Sequence, residues 1–284
     1  MAITNFIPEI WASSLLVNLR DSLVYGQMGV INRNYEGDIA VAGDTVHITS
    51  FVDPATRGYT RNSTTVTYDT LTDATTALII DQARYFGFQV DDLDRRQALP
   101  GFVDEVTRGA SYNLAADADT FLVGEMVDDV DSGNELGATT VDEAGEAYDL
   151  LVELRTTLTR TNTPASGRWV VVPPELYAYL LRDDRFIRAD ASGTTAGLRN
   201  GQVGRAAGFD VIEANTVPED SGGVYTVVAG HGMATTYAEQ IADTEALRLE
   251  TAFADGIRGL HLYGAKVVRP TLLATAEVTV GGSA

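Results

Sequence analysis

Three glycines at 201, 204 and 208 lead into GRAAGFDVIEAN (204–215), and closely spaced glycines are one way a chain cradles phosphate. A dinucleotide loop needs G-x-G-x-x-G after a strand and at the start of a helix, so that the helix N-terminus meets the pyrophosphate. The spacing here is G-x-x-G-x-x-x-G, and the glycines precede a strand pattern, FDVIE. Gly208 is better explained as a turn residue, because glycine enters the left-handed backbone region without steric cost. The run EDSGG (219–223) sets Ser221 beside an acid, as a serine nucleophile loop would. Such a serine needs a histidine base oriented by a buried carboxylate. The three histidines, His47, His231 and His261, fall in unrelated local patterns, so EDSGG reads as a polar turn between strands. DDVDSGNE (128–135) gathers carboxylates, but counted from Asp129 its glycine is fifth where an EF-hand needs it sixth. The histidines lack metal-ligand spacing. With no cysteine, thiolate metal sites, disulfides and thiol nucleophiles are all excluded. These residues supply no catalytic group, no cofactor site and no metal site.

Charge removes another class. Forty acidic residues face twenty basic ones, for a formal charge of −20, and no basic run stands out. A protein that binds nucleic acid by neutralising phosphates needs a basic face, so that mode is excluded. Lys266 is the one lysine, and every other basic residue is arginine. The rigid fork of arginine suits carboxylate pairing at interfaces. Arg182, Arg185 and Arg188 alternate with Asp183 and Asp184, a pattern that suits an ion-pair lattice with another subunit. No signal-peptide pattern opens the chain, and no apolar run approaches the length of about 18 residues that a membrane helix requires.

The elements that carry these groups follow from periodicity. Ile7, Trp11, Leu15 and Leu19 recur every fourth residue behind Pro8, which predicts a helix ending near Tyr25-Gly26. Residues 37–90 change to strand chemistry in DTVHITSF, STTVTYDTL, TTALIID and YFGFQVDD. The intervening VDPATRGYTRNS holds Arg57 and Arg61 and predicts a long polar β-hairpin with its tip near Pro54–Asn62. Val103, Val106, Ala110, Leu114, Ala118 and Phe121 give the longest helical stripe, over 98–126, with alanines that let it lie close to a sheet. A second helix is expected to start at TTVDEAGEAYDLL, with Thr140 and Glu143 as a capping box and a stop at Asn162 and Pro164. RWVVVP predicts a strand buried on both faces, PPELYAYLLRDDRF a short helix, and GFDVIEA, VYTVVAG and 235–284 further strands. An arm and a hairpin that their own chain leaves uncovered imply burial by neighbouring copies.

In the order RWVVVPPELYAYLLRDDRF (168–186), GLRNGQVGRAAGFDVIEANTV (197–217) and FADGIRGLHLYGAKVVRPTLLATAEV (253–278), the chain resembles the major capsid proteins of tailed bacteriophages over essentially its whole length. The resemblance implies an α+β fold of the tailed-phage major capsid type, with an N-terminal arm (1–35) and an extended β-hairpin loop (36–80) that lies across the next subunit. A peripheral domain with a long spine helix (81–135) would be completed by C-terminal strands (240–284), around an axial α/β domain (136–239). It implies a structural protein rather than an enzyme, without cofactors, whose copies form the pentamers and hexamers of an icosahedral shell enclosing double-stranded DNA. The joint Gly26–Gly37 would absorb bending between those two environments. A separate scaffolding protein and a portal are the other partners implied, no membrane is involved, and the location is the virion, after assembly in the host cytoplasm. Trp11, Arg57, Arg61, Arg182, Arg185 and Arg188 are the expected inter-subunit contacts. The alternatives are a cellular nanocompartment shell with the same fold, a hydrolase built on Ser221, and a simple soluble oligomer such as a tail or adaptor protein.

Overall fold

A computed structural model describes residues 23–34, 45–51, 56–61, 63, 65, 68, 73–91, 102–183, 204–220, 222–248 and 254–281. The strands fall into three sheets, and each owes its place to a different burial demand.

The first is a two-stranded ribbon. β1 (Thr45–Phe51) pairs antiparallel with β2 (Asp73–Ile79), from Thr45 opposite Ile79 to Phe51 opposite Asp73. This register puts Ile48 and Leu78 on one face. With Ile80 they form a small core against Ala238 and Leu262. A slip of one residue would turn that face to solvent, so the apolar pair sets the register. The sequence pattern assigns a strand to STTVTYDTL, but Ser63, Thr65 and Tyr68 lie outside any strand and the partner of β1 is 73–79. Threonine-rich alternation alone carries no register, whereas Leu78 and Ile80 have an apolar surface to cover.

The second sheet has the order β3 (Gln82–Asp91), β10 (Ala254–Val267), β9 (Thr235–Arg248), all antiparallel. Phe86 and Phe88 share a half-buried face of β3 and stack at 6.5 Å between centroids. The long helix α1 (Phe102–Asp128) lies on this side, with Phe121 edge-on to Tyr263 at 5.5 Å. Its expected stripe is observed at Leu114, Ala118 and Phe121 and widens to Ala115, Leu122, Val123 and Met126.

The third sheet has six strands in the order β4 (Glu135–Val141), β11 (Leu273–Val280), β8 (Val224–His231), β5 (Arg168–Val172), β7 (Phe209–Glu213), β6 (Arg205–Ala206). All five residues of β5 are buried, as an apolar run covered on both faces must be. Trp169, Val171, Val228 and Leu273 share a core with α1. Val170, Val172, Val227, Ala229, Ala274, Ala276 and Val278 face the opposite core, built on α2 (Ala144–Arg160) and α3 (Pro174–Arg182). The closing strand thus enters the larger sheet, between β4 and β8, while β9 and β10 complete the smaller one.

Two local expectations are corrected. Residues 139–141 are strand, parallel to β11, and α2 starts at Ala144. The carboxylate that reaches back over the helix start belongs to Glu146, which accepts from the Asp142 and Glu143 amides at 2.8 and 3.1 Å. The Thr140–Glu143 pair has the right spacing for a capping box, but pairing with β11 claims Thr140 first. The helix then ends at Thr161 and Asn162, the latter at φ 59°. Thr161 is its C-cap, and Arg168 braces the turn that follows, donating to the Pro164, Arg155 and Thr163 carbonyls and to Thr159 Oγ1. A cation is favoured at that end by the helix dipole.

Candidate assembly interface

The residues that could do chemistry are dispersed. His47 is exposed on β1, His231 ends β8, and His261 is buried in β10 beside Glu239. Ser221 and Gly201 lie outside the described residues. Gly208, at φ +89°, forms with Ala207 at φ 48° the two-residue turn between β6 and β7. Two consecutive positive-φ residues in a two-residue hairpin match the twist of the flanking strands. Asp131 accepts from the Gly133 amide at 2.9 Å and so caps a short 3-10 turn. Among the described residues no group of three or more His, Cys, Asp or Glu is placed to hold a metal ion, and no helix is long and apolar enough to cross a membrane.

What the molecule does present is uncovered surface on extended elements. Among the described side chains of the ribbon, Ile48 and Leu78 are buried, and His47 and Ile79 are exposed. Residues 52–72 join its strands, and the described ones among them, including Arg57, Tyr59, Arg61 and Tyr68, are exposed, Tyr68 at 92 %. On the outer face of the three-stranded sheet Tyr85 stands directly opposite Leu260, and both are exposed. Next to them Arg258 and Glu245 form a cross-strand ion pair at 2.6 Å. Arg182 is exposed at the end of α3, with its guanidinium 5.8 Å from the Tyr179 ring centroid. Trp11, Arg185 and Arg188 lie outside the described residues. The described members of the expected contact set therefore sit on two separate elements, the ribbon connection and α3. Periodicity does not single out Tyr59, Tyr85 or Leu260, because alternation marks a face without saying whether the same chain covers it.

Beneath this surface lies a group of buried charges. Asp119, in the middle of α1, accepts from the backbone amides of Val24, Tyr25 and Gly26 at 2.7, 3.0 and 3.2 Å. Burial pushes its carboxyl up to about 6, against the pull of those three amides. Glu239 on β9 accepts from Arg33 at 2.8 Å and from the Tyr237 hydroxyl at 2.8 Å, and pairs with His261 Nε2 at 3.3 Å. Burial raises its carboxyl, but His261, Arg33 and Tyr237 together outweigh burial and hold it below the ordinary value. A carboxyl surrounded by apolar side chains is costly unless satisfied in this way. Neither group leaves a periodic trace in sequence.

Comparison with known proteins bears on what such a molecule does. The family model for phage capsid protein matches residues 72–276. A solved chain from Mycobacterium phage Che8 is 33% identical, with 97% of this chain and 98% of that one covered and a TM-score of 0.73. The capsid of cyanophage P-SCSP1u shares the fold at 14% identity, covering 99% of this chain and 100% of that one, with a TM-score of 0.66. The SrpI encapsulin of Synechococcus elongatus shares it at 12% identity over 84% of this chain and 83% of that one, with a TM-score of 0.56. A search of curated protein sequences returns no match.

Proposed function

The chain belongs to the phage capsid protein family and is a structural protein of the virion shell, and from that premise we propose that its copies close into the pentamers and hexamers of an icosahedral capsid around double-stranded DNA. The observation that carries this reading is the ribbon of β1 and β2, which buries Ile48 and Leu78 and has, among its described connecting residues, exposed Arg57, Tyr59, Arg61 and Tyr68. Such an extension gains apolar burial, at about 25 cal/mol per Å² less the cost of ordering, only when another copy covers it. Contacts of this heterologous kind generate closed rings when the rotation between copies closes.

In this reading residues 1–35 are the arm, 36–80 the extended loop, 81–135 and 240–284 the peripheral domain, and 136–239 the axial domain. Hydrogen bonding of β11 to β4 and β8 argues for grouping 273–280 with the axial sheet. Trp11, Arg57, Arg61, Arg182, Arg185 and Arg188 face neighbouring copies. The role is structural and non-enzymatic. Scaffolding protein and portal are separate chains, assembly takes place in the host cytoplasm, and the net charge of −20 keeps packaged DNA from adhering to the wall.

Electron microscopy of the purified chain at rising concentration, with nuclease-protected nucleic acid measured in the same fractions, tests this. Closed shells protecting DNA when made in infected cells are expected. Single compact molecules at high concentration would overturn the reading, and shells filled with a protein cargo would replace it with the nanocompartment alternative. Arg57→Glu with Arg61→Glu is expected to lower the assembled fraction while moving the subunit melting temperature by no more than a few °C, since exposed charges contribute little to stability.

A further inference from the structure

Residues 1–22 join the described body at Leu23, and the run that follows is gripped at both ends by buried carboxylates on different elements. At one end the Asp119 carboxylate, 2 % exposed, takes three successive amides, Val24 to Gly26. At the other end Asn32 bridges to β9, its amide donating to the Thr235 carbonyl and its own carbonyl accepting from the Tyr237 amide, each at 3.0 Å. Arg33 then closes on Glu239 with both side chains almost inaccessible to solvent. Tyr25 in the first grip and Val30 and Ile31 between the two are buried in the core beside α1.

Burying a carboxylate is an inefficient way to stabilise a turn, because an apolar residue of similar volume often does as well or better. What a carboxylate adds is direction: one rigid group satisfying three consecutive amides admits a single path for the chain. Resting on the shell reading above, we propose that Asp119 is a positioning residue for assembly, which fixes the direction in which residues 1–22 leave the subunit so that a neighbouring copy meets them at one place.

The test compares the full-length wild type with Asp119→Leu, Asp119→Asn and a control, Val170→Ala, in the opposite core, which lowers stability without touching the clamp. Three readouts are taken: hydrogen exchange at Val24–Gly26, the subunit melt, and the diameter distribution of assembled particles. Loss of a hydrogen bond to a charged acceptor is expected to speed exchange at those amides by roughly tenfold to a hundredfold. Asp119→Leu is expected to yield mostly open or irregular particles while still melting cooperatively. Asp119→Asn, which keeps one acceptor oxygen, should fall between it and wild type, and decides the matter if the leucine variant does not fold. Val170→Ala should keep uniform particles. Uniform particles from the Asp119 variants despite fast amides would overturn the proposal. So would equal failure of Val170→Ala, which would reduce the effect to stability. Absence of shells from the wild type would instead remove the shell reading on which the proposal rests, and the amide readout separates the two results.

Discussion

Gly264 on β10 is where the ribbon meets the three-stranded sheet, and Gly264→Ala tests how tightly the two are joined. A Cβ at this position would lie closer to the Ile79 carbonyl oxygen than any real contact allows, and at 3.0 Å from Ile80 Cα. Ordinary carbon–oxygen contacts lie near 3.3–3.6 Å, so the two backbones must part by about 1 Å. Two outcomes compete. Full release of the ribbon would expose Ile48, Leu78 and Ile80, at most 5 % accessible in the native state. At about 1.5–3 kcal/mol for each large aliphatic side chain, release costs roughly 5–9 kcal/mol. Accommodation by a local shift costs what overpacking usually does, about 1–3 kcal/mol, and therefore wins. The expected result is a subunit that stays folded but melts about 3–9 °C lower, with faster hydrogen exchange confined to β1 and β2. Differential scanning calorimetry of the dissociated chain, paired with exchange mass spectrometry, reads both. A melting temperature within about 1 °C of wild type would refute the reasoning, because the obstacle is backbone and has no rotamer to escape into. Gly259 offers the contrast: the atoms that crowd its would-be Cβ belong to the Phe86 ring, a side chain that can turn aside.

Ala207 stands at φ 48° in the first central position of the β6–β7 turn, where asparagine is much better tolerated. Ala207→Asn is expected to stabilise the subunit by about 1 kcal/mol, read as a rise of about 2–4 °C in melting temperature, and a fall instead would show that this backbone is not strained. Stability against pH should separate the two buried acids by sign. The Asp119 carboxyl lies near 6 in the folded chain, above its ordinary 3.8. Its contribution is therefore fully present below pH 3.8 and lost as pH rises through about 6, an effect of order 3 kcal/mol. Glu239 is held below its ordinary 4.5, so its contribution is present above that value and lost as pH falls through the folded one. Denaturant titrations of wild type and Asp119→Asn between pH 4 and 7 should differ in slope, with the variant missing the part that grows toward acid, and parallel curves would contradict the assignment.

The parts that sequence made legible are those whose burial is decided locally. The run at 168–172 reads as a strand covered on both faces, and the stripe through Leu114, Ala118 and Phe121 as a long helix against a sheet, and both are observed. Gly208 declared a turn because its φ is closed to most other residues. Sequence misleads where a short-range rule competes with a distant partner. Thr140 and Glu143 satisfy a helix-capping rule, yet β11, more than a hundred residues on, takes 135–141 into a parallel ladder. STTVTYDTL alternates as well as any strand, yet β1 pairs with 73–79, where Leu78 and the adjoining Ile80 meet the apolar surface of Ala238 and Leu262. The resemblance of three ordered segments to capsid proteins reached the family and the fold class, which no single residue did.

Composition and pattern by themselves determined that this is a cysteine-free, strongly acidic chain of alternating helix and strand patterns, because each of these properties depends on residue types and on neighbours within a few positions. Only the tertiary structure decided that Asp119 and Glu239 would reach back across 95 and 206 residues to Val24 and Arg33, and that the last strand would close the larger sheet. A buried carboxylate looks like any surface acid until the fold removes its water, and a strand's partner is whichever edge the rest of the core leaves open.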